Sequence, residues 1–201
     1  MDRVDLALIL AFDGSASVTY DEFGLICGGC AAALRDDAVA AGLLGGLSRA
    51  SACAVLLWSG PDAQAVVVDW TRIASGTDLD GFARAVHDVA RIVPPGTTAI
   101  GAGLLACEAL FARLHAAAAR RMIDVAGDGA NNDGPSPAPI RDRLVGGGVV
   151  INGLCVLHEE PDLVASYTRE LIGGAGSFAL ACADYGGFAA AMQQKLQQEV
   201  A

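Results

Sequence analysis

A run of five residues near the start of the chain contains three oxygen donors in a spacing that suits a metal ion. Asp13-Gly14-Ser15-Ala16-Ser17 directly follows the apolar stretch Val4 to Phe12. One carboxylate and two hydroxyls are therefore expected in a tight turn at the end of a strand. Because such hard oxygen donors suit Mg²⁺ or Mn²⁺ rather than zinc or copper, this run is a candidate metal-binding loop.

Two further loops carry oxygen donors. A second apolar stretch, residues 122–126, ends in Gly127-Asp128-Gly129, and an earlier loop contains Thr97 and Thr98. In open α/β sheets, ligands bind beyond the carboxyl ends of the strands. If the strands that precede Asp13 and Asp128 are neighbours, their loops face each other, as a shared ion requires.

The elements that must position these loops alternate along the chain and predict an α/β fold. Continuously apolar strands are typical of a mostly parallel sheet covered by helices on both faces. The turn Ser59-Gly60-Pro61-Asp62 predicts a hairpin, hence one antiparallel strand in a six-stranded sheet. Thr19 and Glu22 have the spacing of a capping box. We expect strands at Val4–Phe12, Ala52–Trp58, Ala65–Ile73, Arg121–Ala126, Gly148–Val156 and Ser177–Ala181, and helices at Thr19–Leu34, Asp78–Ile92, Ile100–Ala119, Pro139–Leu144, Pro161–Ile172 and Tyr185–Val200.

Composition bounds the class of protein. The 201 residues are 53% hydrophobic and carry a net charge of −10, with Lys195 as the only lysine. This predicts one folded domain over residues 1–201 and argues against a nucleic-acid or anionic-membrane surface, which needs clustered basic residues. The acidic charge fits a cation site or a basic partner patch, and equally a charge that only keeps the protein soluble.

The start of the chain has no pattern typical of a targeting segment. Met1-Asp2-Arg3 leads straight into the apolar stretch Val4 to Phe12, which is too short to span a bilayer and lacks a signal-peptide cleavage pattern. We therefore expect a cytoplasmic protein as the sequence is written, or a periplasmic one if an export signal was trimmed.

These motifs, in this order, resemble the von Willebrand factor A (vWA) domain with its metal-ion-dependent adhesion site (MIDAS). That site consists of Asp-x-Ser-x-Ser after a strand, a threonine in a loop that opens a helix, and an Asp-Gly after another strand. The resemblance spans essentially the whole chain and is closer still to DUF1194, a bacterial family of undefined function. The phrases that are similar to that family are Val4-Asp5-Leu6-Ala7-Leu8, Val67-Val68-Asp69-Trp70, Ile123-Asp124-Val125-Ala126-Gly127-Asp128-Gly129, Ile151-Asn152-Gly153-Leu154 and Ile172-Gly173-Gly174-Ala175-Gly176-Ser177-Phe178.

The resemblance implies a three-layer, Rossmann-like fold and a role for each site residue. Ser15 and Ser17 would bind Mg²⁺ or Mn²⁺ through their hydroxyls. Thr98 would bind directly or through water, and Asp13 and Asp128 would hold ion-bound waters. An Asp or Glu of a partner protein would complete the ion's coordination. The resemblance thus implies a non-enzymatic protein-binding module.

Asp124, which lies within a predicted strand, has two readings. It is either an acceptor behind the metal ligands or a satisfied carboxylate of the core. Two other functions also stay open for the chain as a whole. One is a degenerate vWA scaffold that binds partners without metal. The other is a hydrolase with a metal-activated water, although no general base beyond the ligands is evident.

Several other motifs are better explained without chemistry. Cys27-Gly28-Gly29-Cys30 could be a redox or zinc half-site, but it lies inside a predicted helix, and no second pair or nearby His completes a zinc set. The glycine-rich surface of this predicted helix also differs from the more polar helix that the resemblance to the vWA family leads us to expect. Asp13-Gly14-Ser15 and Gly127-Asp128-Gly129 resemble haloacid-dehalogenase phosphatase motifs, yet the nucleophilic Asp of that family is replaced by Ala11.

Overall fold

Six strands form one sheet, and its order places the two carboxylate loops side by side. The computed structural model describes residues 2–201. Its strands are β1 (Asp2–Asp13), β2 (Ser51–Trp58), β3 (Gln64–Ile73), β4 (Ala116–Gly127), β5 (Val149–Val156) and β6 (Ala179–Cys182). The strand order is β3-β2-β1-β4-β5-β6. The crossover to β4 therefore brings the end of β4 next to the end of β1.

The pairing confirms the predicted mostly parallel sheet with one antiparallel edge strand. β1 pairs in parallel with both β2 and β4, β4 with β5, and β5 with β6. Only β3 is antiparallel, because it returns from β2 through the predicted hairpin. In the β1–β4 register, Phe12 lies opposite Ala126. Asp13 and Asp128 consequently emerge at the same edge of the sheet.

Helices cover both faces of the sheet, as expected. Leu6, Leu8 and Leu10 of β1 face one core layer, while Ile9 and Ala11 face the other. This alternation follows from the two-residue period of a strand. The helices are α1 (Tyr20–Leu34), α2 (Asp37–Leu44), α3 (Gly76–His87), α4 (Ile100–Ala112), α5 (Pro137–Gly146), α6 (Leu163–Glu170) and α7 (Phe188–Val200), with a short 3₁₀ turn at Tyr185–Gly187 before α7.

The expected helix over residues 100–119 is wrong in its last turns. α4 ends at Ala112, and the alanines from Ala116 onward already belong to β4. There they pair in parallel with the start of β1, with Val4 opposite Ala118. Alanine's helix propensity is weak compared with a complete row of strand hydrogen bonds, so tertiary pairing decides the outcome. The expected helix at 78–92 likewise ends early, at His87.

The sequence reasoning also missed α2, a short helix. Its start is defined by Asp36, whose side chain accepts hydrogen bonds from the backbone N–H groups of Ala38 and Val39 at 3.0 and 3.2 Å. The predicted capping box of α1 is present, because the Glu22 side chain accepts from the backbone N–H of Thr19 at 2.8 Å and Thr19 caps Glu22 in return.

Close packing explains Gly29 in the glycine-rich stretch of α1. A methyl group on Gly29 would lie 3.0 Å from the Phe188 ring and 3.1 Å from the Cα of Ala189. The missing side chain therefore lets α1 and α7 approach closely. Cys27 and Cys30 are buried, unpaired thiols in the same layer, and burial raises the pKa of Cys27 to about 12. Such thiols pack as small apolar groups.

No helix within residues 2–201 is long and apolar enough to cross a membrane.

Candidate metal centre

The structure brings five of the six predicted site residues together at the carboxyl edge of the sheet. Asp13 is the last residue of β1, Ser15 and Ser17 lie in the loop before α1, Thr98 lies just before α4, and Asp128 follows β4. The side chains of Asp13, Ser15, Thr98 and Asp128 are buried. The loops thus form a recessed cluster of two carboxylates and three hydroxyls.

A chain of hydrogen bonds joins the first loop to the loop after β4. The backbone N–H of Ser15 donates to Asp13 Oδ1 at 2.7 Å. The hydroxyl oxygens of Ser15 and Ser17 are 3.1 Å apart, and the Ser17 hydroxyl donates to Asp128 Oδ1 at 2.8 Å. A serine hydroxyl that gives its proton to a carboxylate keeps its lone pairs free. Ser17 can therefore hold a cation while it stays bonded to Asp128.

Two asparagines attach the threonine loop to the loop after β4. Asn132 exchanges two bonds with Thr98: its side-chain oxygen accepts from the Thr98 N–H at 2.9 Å, and its N–H donates to the Thr98 carbonyl at 2.9 Å. Asn131 accepts from the N–H of Gly101 at 3.2 Å. Thr98 and Asp128 are therefore held in a fixed relation. These two asparagines, which the sequence analysis did not single out, thus order the loop after β4.

Arg91, which the sequence analysis did not single out, supports the first loop from behind. Its guanidinium donates to the carbonyls of Gly14, Ser15 and Val18 at 2.8, 2.7 and 2.6 Å. These bonds satisfy backbone acceptors and leave the serine hydroxyls unengaged by the arginine. No local pattern could have identified this residue, since its partners lie more than seventy positions earlier in the chain.

The electrostatics of the centre favour a bound cation. Burial and the neighbouring Asp128 raise the pKa of Asp13 to about 7, and burial also raises the pKa of Asp128. Among residues 2–201, no Lys or Arg forms an ion pair with either carboxylate. Asp13 Oδ2 and Asp128 Oδ2 are buried without a hydrogen-bond partner in the same range. A divalent cation would offset this uncompensated negative charge.

The donor types agree with a hard cation. Nowhere in residues 2–201 do three or more His, Cys, Asp or Glu side chains converge as a metal-binding group, so the ligand set here would consist of two carboxylates and three hydroxyls. Mg²⁺ retains several waters and needs few direct protein ligands. Asp13, Ser15, Ser17, Thr98 and Asp128 therefore fit Mg²⁺ or Mn²⁺ by donor chemistry.

An acidic cleft borders the centre. It has a volume of about 690 Å³ and is lined by Ser17, Thr98 and Asp128 together with Glu159 and Glu160 from the loop after β5. Glu160 is fixed there, because its carboxylate accepts from the N–H of Ala130 at 3.1 Å. The sequence analysis missed both glutamates. Their only signal was an acidic pair three residues after the end of a buried strand.

Asp124, the sixth residue, lies apart from the centre. It is buried in the middle of β4, where the Lys195 ammonium is 2.5 Å from its Oδ1. Lys195 also pairs with Glu199, which in turn accepts from the side-chain amide of Asn152 at 2.8 Å. Asp124 is therefore an ion-paired carboxylate of the core that lies apart from the metal centre, and its Oδ2 has no hydrogen-bond partner among residues 2–201. Its partner is the chain's only lysine.

Solved vWA structures resemble this chain. Proximal thread matrix protein 1 from the mussel byssus matches with a TM-score of 0.70 and 18% identity, over 98% of this chain and 47% of that one. A second structure of that protein, described as having a zinc-occupied MIDAS motif, matches with a TM-score of 0.69 and 19% identity, over 98% and 46%. A von Willebrand factor type A protein from Catenulispora acidiphila matches with a TM-score of 0.62 and 15% identity, over 98% and 42%.

These likenesses show the fold, and the chain spans less than half the length of each of these relatives. No curated protein matches the chain by sequence. Residues 3–201 match the family described as "Protein of unknown function (DUF1194)". The chain belongs to this family, and both the predicted family and the predicted vWA-type fold are confirmed.

Proposed function

We propose that this DUF1194 protein is a divalent-cation-dependent protein-binding module and not an enzyme. Mg²⁺ or Mn²⁺ would bind at Asp13, Ser15, Ser17, Thr98 and Asp128, and would attract an Asp or Glu side chain of a partner. The observation that carries the proposal is the pair of buried carboxylates, Asp13 and Asp128, next to three hydroxyls. Within residues 2–201 no Lys or Arg is ion-paired to either carboxylate. Such a pair is costly without a cation.

Each residue of the centre has a separate task in this proposal. The serine and threonine hydroxyls would contact the ion, and the two carboxylates would hold its waters and balance its charge. When bound, the ion supplies a concentrated positive charge for an incoming carboxylate. Neutral hydroxyls leave most of that charge available, because they do not compete with the partner's carboxylate electrostatically.

The acidic cleft adds a requirement on the partner. Glu159 and Glu160 border the same cleft as Thr98 and Asp128, so a lone acidic side chain meets repulsion before it reaches the ion. A partner that carries Lys or Arg beside its Asp or Glu satisfies both charges. We therefore propose a partner segment in which one acidic residue is flanked by basic ones.

The metal claim is tested by calorimetric titration of chelator-treated protein with Mg²⁺, Mn²⁺ and Zn²⁺, separately. We expect saturable binding by the wild type and none by Asp128→Ala. Asp80→Ala, which removes an exposed carboxylate of α3, is the matched control and should bind like the wild type. Equal binding by wild type and Asp128→Ala would place the ion elsewhere and refute the site.

The partner claim is tested by selecting a random peptide display library on immobilised protein in Mn²⁺ and eluting with EDTA. We expect eluted peptides that carry an Asp or Glu beside Lys or Arg, and none eluted from Asp128→Ala. Peptides that stay bound in EDTA and also bind Asp128→Ala would favour the alternative, a vWA scaffold that binds without metal. In that case the metal-dependent function would be wrong.

A further inference from the structure

Four buried oxygen atoms without hydrogen-bond partners lie around the two carboxylates of the metal centre. They are the Oδ2 atoms of Asp13 and Asp128 and the phenol oxygens of Tyr167 and Tyr185, each unpaired among residues 2–201. An unpaired buried polar atom destabilises the folded state. Because the two phenols carry a proton to donate and the two carboxylate oxygens, when ionised, can only accept, their placement together is complementary.

Tyr167 reaches the centre from α6 across two glycines. A methyl group on Gly153 of β5 would lie 2.7 Å from the Tyr167 ring, and one on Gly127 of β4 would lie 2.8 Å from its hydroxyl. The same methyl group on Gly127 would lie 2.9 Å from Asp13 Oδ2. The absence of side chains on neighbouring strands thus lets the ring lie against the sheet, with its hydroxyl and Asp13 Oδ2 both facing the Cα of Gly127.

Tyr185 approaches Asp128 from the turn before α7. Its ring is buried and packs edge-on against His158, with ring centres 5.4 Å apart. Its phenol is near enough to the Asp128 carboxylate to influence it. A phenol loses its proton only near pH 10, so both tyrosines carry a proton that they can donate.

We propose that Tyr167 and Tyr185 are positioning residues of the metal centre, whose hydroxyls donate to the free oxygens of Asp13 and Asp128, directly or through one water. This rests on the proposed function. Groups behind the residues that hold a metal ion fix their orientation. Each carboxylate already has its Oδ1 engaged, by Ser15 or by Ser17. A second donor on Oδ2 leaves a carboxylate little freedom to rotate.

The choice of phenol over a charged donor has a consequence for the ion. A Lys or Arg in the same place would neutralise the carboxylates and compete with the cation. A phenol satisfies the oxygen while the negative charge of the centre is kept. Tyr167 and Tyr185 thus order the centre without reducing its attraction for a divalent cation.

Replacement of each tyrosine by phenylalanine tests this, because the ring and its packing remain. The measurements are the Mn²⁺ dissociation constant by calorimetry, the EPR spectrum of bound Mn²⁺, and the urea midpoint of the metal-free protein. We expect Tyr167→Phe and Tyr185→Phe each to weaken Mn²⁺ binding about tenfold, and to broaden the EPR spectrum as the coordination becomes less uniform. Tyr20→Phe, which removes the hydroxyl of an exposed tyrosine, is the control and should change neither.

The outcomes separate this proposal from the proposed function. If Asp128→Ala loses Mn²⁺ binding while the double Tyr167→Phe/Tyr185→Phe variant keeps the wild-type affinity and spectrum, the positioning role is wrong and the metal centre stands. A lower urea midpoint with unchanged affinity has the same meaning, since it shows a packing role only. Absence of Mn²⁺ binding by the wild type overturns both proposals.

Discussion

Two groups of buried carboxylates in this protein differ in whether a basic side chain is paired to them. Asp124 and Glu199 lie in the core against Lys195, the chain's only lysine. Asp13 and Asp128 lie at the edge of the sheet with no basic side chain paired to them among residues 2–201. Both groups are almost fully buried. The core group therefore has a counterion within the chain itself, whereas in the proposed function a cation from solution would balance the charge of the edge group.

The core group, Asp124, Lys195 and Glu199, links the last helix to the sheet. It connects α7 to β4 through Lys195 and Asp124, and α7 to β5 through Glu199 and Asn152. Burial disfavours the ammonium, but Asp124 and Glu199 outweigh this effect and raise the pKa of Lys195. Its charge is therefore permanent at physiological pH. The edge group joins loops instead, and the ion that would balance it can come and go.

The largest expected effect comes from removing the internal cation. Lys195→Met leaves Asp124 and Glu199 buried without a counterion, which should lower the free energy of unfolding by about 3–5 kcal/mol. Urea denaturation followed by circular dichroism measures it. The triple variant Asp124→Asn/Lys195→Met/Glu199→Gln should regain much of the loss. A change of less than about 1 kcal/mol in Lys195→Met would mean that the core group is not held by this charge.

The next effect separates the two groups by their response to an external cation. At a Mn²⁺ concentration of about 100 times the dissociation constant, the wild type should gain about 2.7 kcal/mol of stability. Asp128→Ala should gain none, and Asp80→Ala should gain as much as the wild type. Thermal unfolding with and without Mn²⁺ measures these gains. If Asp128→Ala were stabilised as well, the distinction between the two groups would fail.

A smaller effect of opposite sign is expected in the metal-free protein. The pKa of Asp13 is raised to about 7 from its ordinary value of 3.8, so the folded state holds a proton that the unfolded state loses as the pH rises. Stability therefore falls between these two values. Asp13→Asn removes this loss and should be more stable than the metal-free wild type by about 1–3 kcal/mol near pH 8.

The pH dependence provides the control for that prediction. Near pH 4 the folded wild type carries a neutral Asp13, so the advantage of Asp13→Asn should largely disappear. With Mn²⁺ at pH 8 the order should reverse, because only the wild type would bind the ion. Urea midpoints at both pH values measure this. An advantage that is equal at all pH values would arise from something other than the buried charge.

The smallest effect concerns which threonine serves the centre. Thr98→Val keeps the shape and removes one hydroxyl, and should weaken Mn²⁺ binding by about 0.5–1.5 kcal/mol. Thr97→Val is the matched control, because the Thr97 hydroxyl donates to Asp133 at 2.9 Å instead. Calorimetry compares the two variants. A larger loss in Thr97→Val than in Thr98→Val would mean that Thr97, and not Thr98, binds the ion.

The sequence was informative where local pattern and chain order coincide. Apolar strands before Asp13 and Asp128, with a hairpin between β2 and β3, were enough to predict a mostly parallel α/β sheet. The meeting of the two carboxylate loops was predicted only on the condition that their strands are neighbours. The assignment of Thr98 needed the family resemblance, since nothing local distinguishes it from Thr97. Hydrogen bonds between loops that are far apart in the chain, such as those of Asn132 to Thr98, leave no local sequence pattern from which they could be predicted.

What the sequence could not predict depends on contacts made across the chain. Arg91 lies in the loop after α3, Tyr167 in α6 and Tyr185 in the turn before α7, and no local sequence pattern connects these residues with the centre. The partner of Asp124 is 71 positions away, since Lys195 lies in α7. The start of β4 was predicted as helix for the same reason, since its alanines form a strand only by pairing with β1. Such residues acquire their roles from packing alone.

The position of β1 in the middle of the sheet also determines the stage of folding at which the residues of the metal centre meet. β1 pairs with β4, more than a hundred residues later in the chain, and closing so long a loop is slow compared with forming the β2–β3 hairpin. A nascent chain that ends before β4 holds the complete Asp-x-Ser-x-Ser turn but lacks Asp128. If the proposed function holds, cation affinity would arise with the long-range step of folding, and a bound Mn²⁺ would mark a chain whose sheet is complete.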